Sequence, residues 1–193
     1  MKAALVALGV VVLLGLASMG LYNGLVVRQE AVNSAWAQVQ NNYQRRFDLI
    51  PNLVETVKGA ARFEKSTLTA VVDARARVGS FAVDKSVLND PAQFKKFSAA
   101  QSELGGALSR LMVVAENYPQ LRSTENFRGL QDQLEGTENR IAVARRDFNE
   151  AAQAYNAAIR AVPASLLASM AGFKERPYFE AAAPVQNAPQ VKF

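Results

Sequence analysis

Apolar residues recur at alternating steps of three and four along most of this chain, and the clearest series lies in its second half. Phe127, Leu130, Leu134, Thr137, Ile141, Ala144, Phe148, Ala151, Tyr155, Ala158 and Val162 follow one another in this way, with mostly polar or charged residues between them. A period of 3.5 residues predicts a helix whose seam is buried against other helices. Thr124 stands where an N-cap is needed, and Glu125, Asp132, Glu135 and Glu138 gather in the half that the helix dipole favours for acids. Pro163 ends the helix, which is on the order of 57 Å long at 1.5 Å per residue.

A second seam precedes it: Phe94, Phe97, Gln101, Leu104, Leu108, Leu111, Ala115 and Tyr118. Asp90 serves as N-cap and Pro91 takes the first helical position. Pro119 stops this helix, and the short turn that follows predicts that the two helices are antiparallel neighbours. Gly105 and Gly106 in its middle each cost about 1 kcal/mol relative to alanine, which predicts close approach of a partner helix or a kink.

The first half carries the pattern from Val32 through Trp36, Val39, Tyr43, Arg46, Ile50, Leu53, Val57, Ala60, Glu64, Thr67, Val71 and Ala74 to Val78. Pro51 interrupts it, and Ile50 before the proline is pushed away from helical angles. Either the chain turns near Asp48–Asn52 to give two helices, or one long helix kinks there. The fold class expected is all-α: an N-terminal transmembrane helix followed by an up-and-down, antiparallel helical bundle with long coiled-coil-like helices. Four helices with the turn are favoured by compactness; the alternative is three long helices with the first kinked at Pro51. Ser80–Asn89 reads as a loop, and Ala164–Met170 as a short helix before Gly172.

Beyond it, Pro177, Pro184 and Pro189 exclude regular helix, while Tyr178, Phe179, Val185, Val191 and Phe193 predict that the tail docks on the bundle or on a neighbouring subunit. The organisation is thus a membrane anchor over 1–27, a bundle over 28–172 and an extended tail over 173–193.

The anchor rests on 25 residues, Ala3 to Val27, without a charge; a bilayer-spanning helix needs about 20. Lys2 and Arg28 place cations at the two ends, and Tyr22 sits where an interfacial aromatic belongs. The apolar run continues past any small-residue site such as Ala17-Ser18-Met19, which favours an uncleaved anchor over a signal peptide. Lys2 and the free amine stand against Arg28, Arg45 and Arg46. That count leans only slightly to a cytoplasmic bundle, and long domains translocate largely regardless of charge, so both sides stay open.

Composition narrows the chemistry. The chain has no cysteine and no histidine, which removes disulfides, thiolate chemistry, the commonest metal ligand and the commonest general base. Net charge is +5, but the basic residues are scattered among acidic ones. They read as solvated helix faces that can also sense anionic lipid, and not as a nucleic-acid surface.

Arg46 falls on the apolar seam, where an unpaired guanidinium is costly. A register-fixing salt bridge to Asp48 or to a carboxylate of another helix, Glu64 among them, explains it. An anion or headgroup site at Arg45-Arg46 is the rival. Glu116, Glu135, Glu138 and Asp147 show no ligand spacing, so no catalytic residue, cofactor or metal is expected.

The chain resembles the LemA family of bacterial membrane proteins. The resemblance runs from about Tyr22 to Phe193 through Tyr22-Asn23, Ala35-Trp36, Arg45-Arg46 with Asp48-Leu49-Ile50-Pro51-Asn52-Leu53-Val54, Glu116-Asn117-Tyr118-Pro119, Gly136-Thr137-Glu138-Asn139-Arg140-Ile141, Arg145-Arg146, Tyr155-Asn156, Pro177-Tyr178-Phe179 and Val191-Lys192-Phe193. It implies an N-terminal anchor, a helical bundle, a single-pass place in the bacterial cytoplasmic membrane and no established activity. Related proteins of magnetosome-forming bacteria are associated with shaping internal membranes. The functional expectation is therefore a non-enzymatic scaffold that self-associates on the bilayer, with a membrane-tethered adaptor for another membrane protein as the alternative.

Overall fold

The structure is a computed structural model describing residues 2–59, 64–81 and 85–180. Among these residues there are six α-helices and no strand: α1 Lys2–Lys58, α2 Lys65–Gly79, α3 Pro91–Ala115, α4 Pro119–Arg122, α5 Glu125–Arg160 and α6 Ala164–Met170. The long elements α1, α2, α3 and α5 make the up-and-down bundle. Ala60 and the tail beyond Glu180, with Pro184, Val185, Pro189, Val191 and Phe193, lie outside the described residues.

The turn expected at Asp48–Asn52 is absent, because α1 runs through Pro51 and ends at Lys58. Its seam is buried on both sides of the proline, from Val32, Trp36, Val39, Tyr43 and Arg46 to Ile50, Leu53 and Val57. Burial of that continuous stripe outweighs the single backbone bond that Pro51 forfeits. The carbonyl left over, that of Phe47, accepts instead from Arg75 Nε at 3.4 Å, across the interface with α2.

The caps of the later helices follow the sequence. Asp90 accepts from the N–H groups of Ala92 and Gln93 at 2.9 and 3.2 Å, and Thr124 Oγ1 accepts from Phe127 N at 3.4 Å. Helix α6 closes in a Schellman motif: Gly172 takes φ +77°, Phe173 N donates to Ala168 O at 3.0 Å and Gly172 N to Ser169 O at 3.4 Å. The expected loop before α3 contains a 3-10 turn, Lys85–Asn89, because Val87 and Leu88 turn inward and are buried.

Backbones approach most closely in two antiparallel pairs, α1 with α5 and α2 with α3. Helices α3 and α5, expected to be neighbours from their short connection, meet through side chains such as Phe94 and Phe148, with ring centroids 6.0 Å apart. The α5 seam holds from Phe127 to Phe148 and again at Tyr155, but Ala152 and Ile159 are buried in place of Ala151 and Ala158, and Val162 is exposed. A straight helix drifts about 20° per heptad against a 3.5 repeat, so a seam of this length cannot keep strict phase.

Two apolar clusters fill the bundle. One gathers Leu25, Trp36, Phe94, Phe97, Phe148 and Tyr155; the other gathers Ile50, Leu53, Val71, Leu104, Leu111 and Phe127. Before both, residues 2–20 of α1 are exposed without a break. Helix α1 is long and apolar enough there to cross a membrane.

Candidate functional site

A buried polar layer separates the two clusters. Arg46 on α1, 3% exposed, donates from Nη1 to Glu138 Oε1 on α5 at 2.8 Å. Its Nη2 donates to the Gln101 backbone carbonyl on α3 at 3.1 Å and to the Gln101 side-chain oxygen. The guanidinium also lies 5.2 Å from the Tyr43 ring centroid. Thr137, fully buried one residue before Glu138, accepts from Arg140 Nη2 at 3.1 Å and donates to Gln133 O at 2.6 Å.

One arginine thus ties three helices at a single height, and any shift in their register would strand a buried charge. A methyl at Gly105 would meet Arg46 Nη1 at 3.5 Å, and one at Gly106 would meet nothing. Gly105 therefore lies beside a guanidinium and not against a partner-helix backbone, and Gly106 faces open space. Burial pushes the Tyr43 hydroxyl pKa up, against Arg145 and Arg46, which favour the phenolate.

A second constellation holds the tail. Asn156 Nδ2 donates to the Arg176 carbonyl at 2.8 Å, while its Oδ1 accepts from Arg176 N at 2.8 Å. Asn149 repeats the clasp on Phe179, with both bonds at 2.9 Å. Seven residues of α5 rise about 10.5 Å, and three extended residues advance about 10 Å, so the two amides match the tail's own spacing.

The clasp seats Phe179 among Phe94, Phe148 and Trp36 at centroid distances of 4.8, 5.5 and 6.2 Å. Arg145 covers its outer face at 4.6 Å. Arg176, itself buried, donates to Leu88 O at 3.4 Å and to Asn89 Oδ1. The described tail therefore docks on its own bundle. Burial raises the Tyr155 hydroxyl pKa, opposed by nearby Arg176 and by the Lys174 backbone N–H.

Of the residues singled out from sequence, the layer unites Arg46, Glu138 and, through Thr137, Arg140. Arg45 and Asn139 are exposed. Asp48 is not the partner of Arg46; it accepts from Gln44 Nε2 at 2.7 Å, one turn back on α1. Nor is Glu64, which is the N-cap residue of α2 and accepts from Ser66. The backbone carbonyl of exposed Asn52 accepts from Thr56 Oγ1 at 2.8 Å.

Half-buried Tyr118 and exposed Pro119 lie at the far end, beside a cleft of about 670 Å³ lined by Thr56, Asn117, Leu121, Thr124 and Asn126. Tyr22 meets Phe173 edge-on at 5.7 Å, Arg28 Nη1 donates to Gly24 O at 3.2 Å, and Lys2 is exposed. Gln101, Asn149, Asn156 and Arg176 carry more of the geometry than their local patterns suggest. Gln101 had a legible signal, being a polar residue on an apolar seam like Arg46.

Comparison with known proteins follows the same residues. Positions 35–193 match the model of the LemA family. The chain is 31% identical to a magnetosome protein MamQ of Paramagnetospirillum magneticum and to the magnetosome protein MamQ of Magnetospirillum gryphiswaldense, over 82% of this chain and 64% of each relative. It is 23% identical to the protein LemA of Metamycoplasma hominis, over 72% of this chain and 60% of that relative. The chain thus spans less than two thirds of the length of these curated relatives. With a family match that takes in Arg46, Gln101, Glu138, Asn156 and the docked tail, this all-helical chain belongs to the LemA family.

Proposed function

We propose that this protein is a non-catalytic, single-pass scaffold of the bacterial cytoplasmic membrane that self-associates to organise or bend the bilayer. The observation that carries the reading is the continuity of α1. One helix holds both the exposed uncharged residues 3–20 and the buried seam from Val32 to Val57.

A flexible tether would let the bundle point anywhere. A continuous helix transmits the orientation of packed bundles into the membrane, which is what a shaping assembly needs. The net charge of +5 favours an anionic lipid surface, and relatives named as magnetosome proteins are in keeping with a structural role.

The test is mass photometry and negative-stain electron microscopy of the full-length protein in mild detergent, followed by electron microscopy in vesicles. A large, regular particle that alters vesicle shape is expected. A monomer in both detergent and lipid discs would overturn the proposal.

The cleft beside Tyr118 favours a second reading, in which the bundle presents its far end to another membrane protein. That reading expects a stoichiometric partner in a gentle pull-down.

A further inference from the structure

From Ala161 to Phe173 no residue carries a charge, and Arg160 and Lys174 close the stretch on either side. Apolar segments flanked by cations are typical of the membrane interface, where long side chains reach back to the headgroups. The packing of α6 is inside out for a soluble cap. Its small residues Ala164 and Ala168 are buried against α1 and α5, while Leu166 is 69% and Met170 86% exposed. Val162, in the turn just before, is 84% exposed. Leu167 is half-buried, but a helix that only sealed the end of the bundle would not leave both Leu166 and Met170 outside.

Its position along α1 is fixed by two contacts. Phe173 N donates to Ala168 O, and the Phe173 ring lies 5.7 Å from Tyr22. Helix α6 therefore sits level with the α1 turn at Tyr22. Beyond that turn, exposed residues 2–20 measure about 28 Å along the axis, against a hydrocarbon core of about 30 Å. No length is spare: to fill the core, α1 must sink to about Tyr22, and that brings α6 into the headgroup layer.

We propose that the outer face of α6, carried by Val162, Leu166 and Met170, inserts into the lipid interface beside the α1 span. This rests on the reading of α1 as membrane-spanning and adds a second point of attachment to it. One helix leaves a bundle free to rotate about the helix axis, whereas two contacts fix which face of the bundle looks along the membrane. Arg160, paired at 3.7 Å with Glu175, and exposed Lys174 mark the limits of the inserted patch.

The chain has no cysteine, so Val162→Cys, Leu166→Cys and Met170→Cys can each be labelled singly with a polarity-sensitive fluorophore. All three positions are exposed, and the fold does not depend on them. The full-length protein is reconstituted into phosphatidylethanolamine–phosphatidylglycerol vesicles containing lipid with brominated chains as quencher. Leu13→Cys reports the span, and Val113→Cys, 65% exposed on α3, reports water.

The expected result is bromine quenching at Leu166 and Met170 several-fold above that at Val113 and approaching that at Leu13. Labels at these positions that behave like Val113, with Leu13 quenched, would overturn the insertion and leave the span intact. A blue shift without bromine quenching would overturn it in favour of a second copy covering the face. Loss of quenching at Leu13 as well would overturn the spanning reading, and this proposal with it.

Discussion

The Arg75 guanidinium lies over the Phe47 ring, 3.9 Å from its centroid, while its Nε donates to the Phe47 carbonyl at 3.4 Å. That carbonyl is the one Pro51 deprives of a helical donor, since proline has no N–H to give four residues on. Residues of α2 thus complete α1 at its weakest point. Arg75→Ala should destabilise the bundle by about 1–2 kcal/mol, through the lost bond and the lost ring contact. In a Pro51→Ala background the carbonyl regains its own helical partner, and the Arg75→Ala loss should shrink by about 0.5–1 kcal/mol. Thermal unfolding of the four proteins in detergent gives the coupling. Strict additivity would mean that Arg75 acts through the ring alone.

The buried layer predicts an asymmetry. Arg46→Ala empties a buried site touched by three helices and should cost about 3 kcal/mol. Glu138→Gln should cost only about 1 kcal/mol, because the Glu138 side chain is 45% exposed and water screens its charge. Arg46→Met should be milder than Arg46→Ala, since it restores an apolar seam. Equal losses for Arg46→Ala and Glu138→Gln in denaturant unfolding would contradict the layer's one-sided burial.

Gly106 faces open space, so Gly106→Ala should stabilise α3 by about 0.5–1 kcal/mol through helix propensity. Gly105→Ala should gain about as much, because its methyl would meet Arg46 Nη1 at 3.5 Å, an ordinary van der Waals contact. A lower unfolding midpoint for Gly105→Ala than for Gly106→Ala would show that the buried guanidinium needs more room than this.

Trp36 is the single tryptophan and stacks on Phe179, so its fluorescence reports tail docking. Asn156→Ala removes bonds in a fully buried clasp and should weaken docking by about 1–3 kcal/mol. The open tail fraction should then rise about fivefold or more, at about 1.4 kcal/mol per decade. Trypsin should cut after Lys174 correspondingly faster, and the tryptophan emission should shift red. Cleavage unchanged in both Asn156→Ala and Phe179→Ala would place the tail off the bundle in solution.

Tyr43 and Tyr155 both have hydroxyl pKa values raised by burial. A group whose folded pKa is raised holds its proton more tightly when folded. Its contribution is therefore fully present below about pH 10, the unfolded value, and is lost as pH climbs through the folded value. Stability should stay flat with respect to these groups up to about pH 10 and then fall. Tyr43→Phe and Tyr155→Phe should each flatten that fall. Tyrosinate absorbance against pH, read alongside unfolding, checks the order of events. Ionisation of all five tyrosines before any unfolding would refute the prediction.

Local signals were legible because they are local. Asp90, Pro91, Thr124, Pro163 and Gly172 act on backbone groups a few residues away, and the structure uses each of them at a helix end. Arg46 was legible as a buried ion, since a charge on an apolar stripe requires a partner wherever the stripe is covered. Its partner was not legible. Asp48 and Glu64 are as acidic as Glu138, and only the height at which α1 and α5 lie against each other selects among them.

By itself the sequence determined the helical class, most caps and stops, the apolar seams and the exposed apolar run before them, because period and side-chain chemistry are written residue by residue. Tertiary structure alone decided that α1 continues through Pro51 and that Asn149 and Asn156 clasp the tail. Each of these depends on a group far along the chain: the Arg75 side chain for the first, the backbone of Arg176 and Phe179 for the second. A distant group can repair a proline or satisfy a buried amide only once the fold has brought it there.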